Sequence, residues 1–200
     1  MNGLFFDRIV APLIVVGWVS FTVGCVPAVS PLSVQEEQML EGTLVTLLER
    51  ATVGLRRGDT RSLDEAYASL RVARELSPND PRVLDGIGCV EWRLGNIDLA
   101  EYFFREAIAV SPEYDRPYAH LALVARDRGD TRAAEELLLM AIQINPLNYR
   151  ARNNYAVEVL ENGEDRESRK AAYESLLAAI QTAGEEDPVM SYNLRELHRQ

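Results

Sequence analysis

Apolar side chains recur at helical spacing through most of the chain, and the places they occupy return every 34 residues. Leu70, Phe104 and Leu138 share this register, as do Ala66, Ala100 and Ala134, and again Ala73, Ala107 and Ala141. The punctuation keeps the same period, with Pro78, Pro112 and Pro146 behind apolar helices and Gly95, Gly129 and Gly163 between them. Such registers predict pairs of antiparallel helices. Pro stops one helix because it cannot continue the hydrogen-bond ladder, and Gly turns the chain where positive φ is needed. Ala permits close helix approach while the large Leu/Phe/Leu series fills the space between.

Helix starts are written as clearly. Ser33-Val34-Gln35-Glu36 is a capping box opening a helix through Leu40, Leu44, Leu47 and Leu48 toward Leu55. Asp80-Pro81 and Asp187-Pro188 place a capping carboxylate before a Pro at the first helical position, and Asp115 and Asn148 offer the same cap. The units expected are 47–80, 81–114, 115–148 and 149–185, inside a repeat domain spanning 34–200. The last unit requires about three inserted residues near 164–168, after which Ala171, Ser175 and Ala178 take the packing places. A capping helix at 187–198, carrying Tyr192, Leu194 and Leu197, closes the stack.

Period and pattern together resemble the tetratricopeptide repeat (TPR). The second unit carries the pattern as Leu84, Ile87-Gly88, Ala100, Phe104 and Pro112, and the third as Tyr118, Leu121-Ala122, Ala134, Leu138 and Pro146. Leu84 and Glu91 stand where the family places aromatic residues. The resemblance implies an all-α solenoid of antiparallel helix pairs that binds proteins through a concave face.

Ahead of the repeats, residues 9–35 carry no charged side chain, and the strongly apolar part, Ile9 to Val23, is 15 residues long. That length suits the apolar region of an export signal better than a membrane-spanning helix of about 20 residues. Thr22-Val23-Gly24-Cys25 resembles the lipobox of bacterial lipoproteins, which implies a signal peptide over 1–24, lipid on Cys25 and a tether over 25–33. Ordinary cleavage after Ala28 and an uncleaved anchor over 9–29 stay open beside it. The resemblance implies a membrane-anchored place in the cell envelope, at the outer membrane in a Gram-negative cell because Val26 follows the cysteine.

Composition narrows the function classes. The net charge of −10, from 31 acidic and 21 basic residues, disfavours a nucleic-acid surface, which needs clustered cations. Two cysteines without metal-like spacing give no disulfide framework or zinc motif, and Cys89 reads as a small buried thiol. No phosphate loop, dinucleotide fingerprint or nucleophile elbow is present, and His120 and His198 lie in distant units. Catalysis, a cofactor and a metal are therefore not expected.

The first helix of each unit offers a binding face: Arg82, Asp85, Cys89 and Arg93, then Arg116, Ala119, His120 and Leu123, then Arg150, Asn153, Asn154 and Val157. Its arginines suit a partner's carboxylates and its asparagines the backbone amides of an extended peptide. An ordinary polar surface is the alternative. Arg150 and Asn154 resemble part of the carboxylate clamp of chaperone-binding TPRs, without the Lys and Asn of the earlier units. Asn153-Asn154-Tyr155-Ala156 is similar to a segment of TPR lipoproteins that assist assembly of type IV pilus secretins. The expected role is a membrane-tethered adaptor for an envelope protein, with cell-wall hydrolase adaptor and self-assembling structural subunit as alternatives.

Overall fold

The computed structural model describes residues 32–162, 166–183 and 188–199. Among them run nine α-helices and no strand: α1 (Val34–Arg57), α2 (Thr60–Leu76), α3 (Pro81–Arg93), α4 (Ile97–Val110), α5 (Arg116–Asp127), α6 (Thr131–Ile144), α7 (Tyr149–Asn162), α8 (Arg166–Ala183) and α9 (Pro188–Arg199). The signal segment, Cys25 and most of the proposed tether lie outside the described residues, as does Gly163. No helix of the described residues is long and apolar enough to cross a membrane.

Successive helices pack as antiparallel pairs, and α1, α3, α5 and α7 also touch in series. This is an all-α solenoid. Its periodic core follows from side-chain size: Ala66, Ala100 and Ala134 are fully buried, and Leu70, Phe104 and Leu138 are buried beside them. At Gly54 a Cβ would lie 2.4 Å from the Ser62 carbonyl oxygen, and at Gly88 2.5 Å from Phe104 Cε1. Helix α1 meets α2, and α3 meets α4, too closely for any larger residue there. Gly95 and Gly129 turn the chain inside their pairs with φ of 83° and 78°, left-handed values that favour glycine.

Ser33 accepts from the Glu36 N–H while the Glu36 carboxylate accepts from the Ser33 N–H, the reciprocal capping box that opens α1. Asp80 caps α3 by accepting from the Arg82 N–H, with Pro81 behind it. Asn148 accepts from the Ala151 N–H at the start of α7. Asp115 departs from expectation, making no cap bond to α5. Its buried carboxylate instead accepts from the side-chain amides of Asn145 (3.1 Å) and Asn148 (2.6 Å), tying one inter-unit turn to the next.

A second departure concerns the last pair. The buried residues of α8 are Ala172, Leu176 and Ala179, each 38 positions after Ala134, Leu138 and Ala141, so the insertion is four residues rather than three. Ala171 is exposed, and Ser175 and Ala178 are half-buried. One residue of shift turns a helix by about 100°, and only the later register buries a large apolar side chain in place of a serine. Helix α9 packs on α7 and α8. Met190 supplies its buried apolar contact and Leu194 packs beside the same core, while Tyr192 is exposed.

Candidate functional site

Helical spacing places the site. On α3, Asp85, Cys89 and Arg93 follow one another at four-residue intervals, so they share one stripe. Helix α5, which touches α3, brings Arg116, His120 and Leu123, and α7 adds Arg150, Asn153 and Asn154. Two cavities of about 450 and 480 Å³ open along this face, and Arg116, His120, Leu123 and Arg150 line both. The first extends over Asn153, Asn154 and Tyr149 to Met190 of α9. The second extends over Cys89, Trp92 and Arg93 to Leu55 and Arg56 of α1.

The lining is cationic although the chain is acidic overall. Arg56, Arg93, Arg116 and Arg150 take part, and no carboxylate of the described residues lines either cavity. Aromatic neighbours steer two of these guanidinium groups: Arg93 sits 6.0 Å from the Trp92 ring centroid, and Arg150 sits 5.8 Å from that of Tyr149. Trp92 is itself held by donating from Nε1 to Asp127 at 2.8 Å.

Beneath the cavities lies a buried polar cluster. Asp85 is 1% exposed, and its Oδ1 accepts from His120 Nδ1 at 2.7 Å. Its other oxygen lies 3.5 Å from the Tyr114 hydroxyl and 3.8 Å from Arg116 Nε. Burial alone would lower the His120 pKa, but the Asp85 charge beside it, with a further contribution from Cys89, outweighs this and holds it well above 6.5. Burial, reinforced by Asp85, pushes the Tyr114 phenol up, so it stays a neutral donor. Cys89 Sγ lies 3.4 Å from His120 Nδ1 and 3.7 Å from Nε2, and Phe104 faces the imidazole with ring centroids 5.3 Å apart. Asp85 engages Nδ1, while the Cys89 sulfur lies against the ring within reach of both nitrogens.

Arg93, Arg116, His120, Arg150, Asn153 and Asn154 thus come together on one face. The other two expected groove residues, Arg82 and Asp85, line a smaller adjoining cavity of about 220 Å³ together with Cys89 and Arg116. Asp85 is almost fully buried there, against His120 and Arg116. The Arg82 guanidinium is taken by Asp80 (2.7 Å) and Glu41 (2.8 Å). Asn153 is a lining residue whose side-chain oxygen already accepts from Asn193 of α9 at 2.9 Å. Cys89 is half-buried against His120 instead of enclosed in an apolar core. Sequence reasoning missed Arg56, because the binding face was not extended to α1, and missed Asp85 as the partner of His120. The available signal was Asp85 and Cys89 one turn apart, with His120 35 residues after Asp85, one position beyond the repeat.

The comparisons with known proteins agree with this architecture. Tetratricopeptide repeat protein 7B of Homo sapiens is 30% identical over 117 residues, covering 58% of this chain and 13% of that protein. The peroxisomal targeting signal receptor of Eremothecium gossypii is 33% identical over 121 residues, covering 60% of this chain and 20% of the receptor. The repeats of this chain are of the TPR type. It spans only those small fractions of the two curated relatives, so the likeness concerns the repeats and not the whole proteins. No family model matches the chain. Among solved structures, PilF of Pseudomonas aeruginosa superposes with a TM-score of 0.65 at 18% identity, over 80% of this chain and 70% of PilF. YrrB, described as a TPR protein with an unusual peptide-binding site, gives a TM-score of 0.51 at 17% identity, over 84% of this chain and 83% of YrrB. At these identities the likeness is one of fold.

Proposed function

We propose that this chain is an adaptor whose odd-numbered helices form a groove for an extended, acidic segment of a partner protein. The observation that carries the reading is the cationic lining: four arginines along two adjoining cavities, in a chain of net charge −10, with no carboxylate among the described residues that line those two. Arginine forks pair with carboxylates in bidentate fashion, and the side-chain amide of Asn154 suits the backbone of an extended peptide. The peptide-binding site ascribed to YrrB, a protein of the same fold, supports a peptide as the occupant. The test is fluorescence anisotropy with an extended Asp/Glu-rich peptide and its Lys-substituted counterpart. The acidic peptide binds, the basic one does not, and raising salt weakens binding because the groove is solvent-facing. Arg116→Glu with Asn154→Ala weakens binding at least about tenfold while helicity is kept. Equal affinity for both peptides, or an unchanged affinity in the double variant, refutes the groove.

The adaptor further works at a membrane of the cell envelope, held through lipidated Cys25, and assists assembly of a pilus or secretion complex. The lipobox-like residues Thr22 to Cys25, the string Asn153 to Ala156 and the fold shared with PilF support this part. Membrane fractionation of Cys25→Ala against wild type tests the tether. Equal membrane retention of the two would remove the lipid from the proposal.

A further inference from the structure

Asp85, Cys89 and His120 place their potential ligand atoms within 4.8 Å of one another. Two of the ligands come from successive turns of α3 and the third from α5, so packing of the two helices assembles the set. Two of the three separations come close to those a small tetrahedral cation requires, and the third lies within 4.8 Å. With bonds of about 2.3 Å to sulfur and about 2.0–2.2 Å to nitrogen and oxygen, neighbouring ligand atoms stand roughly 3.2–3.6 Å apart. Cys89 Sγ and His120 Nδ1 are 3.4 Å apart already, and the 2.7 Å between His120 Nδ1 and Asp85 Oδ1 must open by about half an ångström when the shared proton leaves.

We propose that Asp85, Cys89 and His120 form a three-ligand site for a Zn²⁺-class cation on the floor of the groove. Thiolate and imidazole select a borderline-soft cation over Mg²⁺ or Ca²⁺, which prefer oxygen donors. The carboxylate is already divided by function. Its Oδ1 faces His120, while Oδ2 lies toward Tyr114 and Arg116, the kind of outer partners that orient a ligating carboxylate. Cys89 and His120 line the cavity of about 480 Å³, so the fourth coordination position opens toward the groove and takes water or a donor from whatever occupies it. Binding replaces the proton between His120 and Asp85 and the thiol proton of Cys89, releasing both to solvent. In the metal-free protein the 2.7 Å hydrogen bond does the cation's work of holding α3 to α5.

This inference does not depend on peptide binding, and its test uses metal alone. The full chain, stripped with chelator, is titrated with Co²⁺ and followed by absorption, then challenged with Zn²⁺. Expected are one equivalent of Co²⁺, visible bands of a tetrahedral centre, a near-ultraviolet sulfur-to-cobalt band, and loss of all of them on adding Zn²⁺. Cys89→Ser, nearly the same size and retaining the fold by circular dichroism, loses the sulfur band and binds at least about tenfold more weakly. Cys25→Ser leaves the spectrum unchanged. Absence of a sulfur band in the wild type, or a band that survives Cys89→Ser, overturns the site. If Cys89→Ser fails to fold, His120→Gln provides the decision: unchanged tetrahedral bands in that variant overturn the site, and their loss supports it.

Discussion

His120 on α5 donates from Nδ1 to Asp85 on α3 at 2.7 Å, joining two consecutive repeat units across 35 residues. The bond lies under the cationic groove and positions two things at once: the imidazole on its floor and, through the 3.8 Å contact, the Arg116 guanidinium at its edge.

The two halves of that pair are unequal. His120→Ala strands a carboxylate that is 1% exposed, left with Tyr114 at 3.5 Å and Arg116 at 3.8 Å, and is expected to destabilise metal-free protein by about 3 kcal/mol. Asp85→Asn leaves a histidine that can discharge, and costs about 1 kcal/mol. Urea unfolding at neutral pH separates the two. Asp85 and Cys89 face the imidazole, with Arg116 and Tyr114 on the far oxygen of Asp85, and against the effect of burial Asp85 dominates in holding the His120 pKa above the ordinary 6.5. A raised folded pKa means the stabilisation is complete below 6.5 and is lost as pH rises toward the folded value. Wild-type stability therefore declines above pH 6.5 relative to Asp85→Asn; parallel profiles would contradict the pairing.

Two glycines in α1 should respond with opposite signs. A Cβ at Gly54 meets the Ser62 carbonyl oxygen at 2.4 Å, so Gly54→Ala forces α1 and α2 apart at a cost of about 1–3 kcal/mol. At Gly42 a Cβ meets nothing within 4 Å, and Gly42→Ala gains about 0.5–1 kcal/mol from the stiffer unfolded chain. Thermal melts of both variants check the contrast.

Glu158 on α7 is 3% exposed, and burial, opposed by Arg126 and the amide of Asn162, holds its pKa above 4.5. Here the charged form is the one disfavoured by folding. Stability falls as pH rises through the unfolded and then the folded value, and the cost is fully present at neutral pH. Glu158→Gln keeps an oxygen for Asn162 Nδ2, now at 2.9 Å, and should raise Tm at pH 7 by about 2–4 °C. The gain should vanish by about pH 3, where the carboxyl is protonated in both states.

The register of α8 is open to a direct check. Leu176 is fully buried and Ser175 is half-buried beside Arg152, so Leu176→Ala should cost about 2–5 kcal/mol and Ser175→Ala less than about 1 kcal/mol. Equal costs would mean that the insertion in the last unit is not four residues.

The chain's repeat is local and therefore legible. Helix starts, glycine turns and the small/large alternation at Ala66, Leu70 and Ala73 are each dictated by neighbours within a few turns, and a fixed period makes them add up to a solenoid. The apolar run, Cys25 and the polar stripes of α3, α5 and α7 are equally properties of the sequence. What only the tertiary structure decided is which polar groups meet. Helix spacing put Asp85 on the expected face, but the close approach of α5 buried it under His120. Arg82 was drawn to Glu41 across the α1–α3 contact, and Asp115 was taken from its helix end by two asparagines of the next turn. A side chain's direction along its own helix is set within one turn, whereas its partner depends on how far the next helix leans in, and that distance follows from the packing of the whole stack.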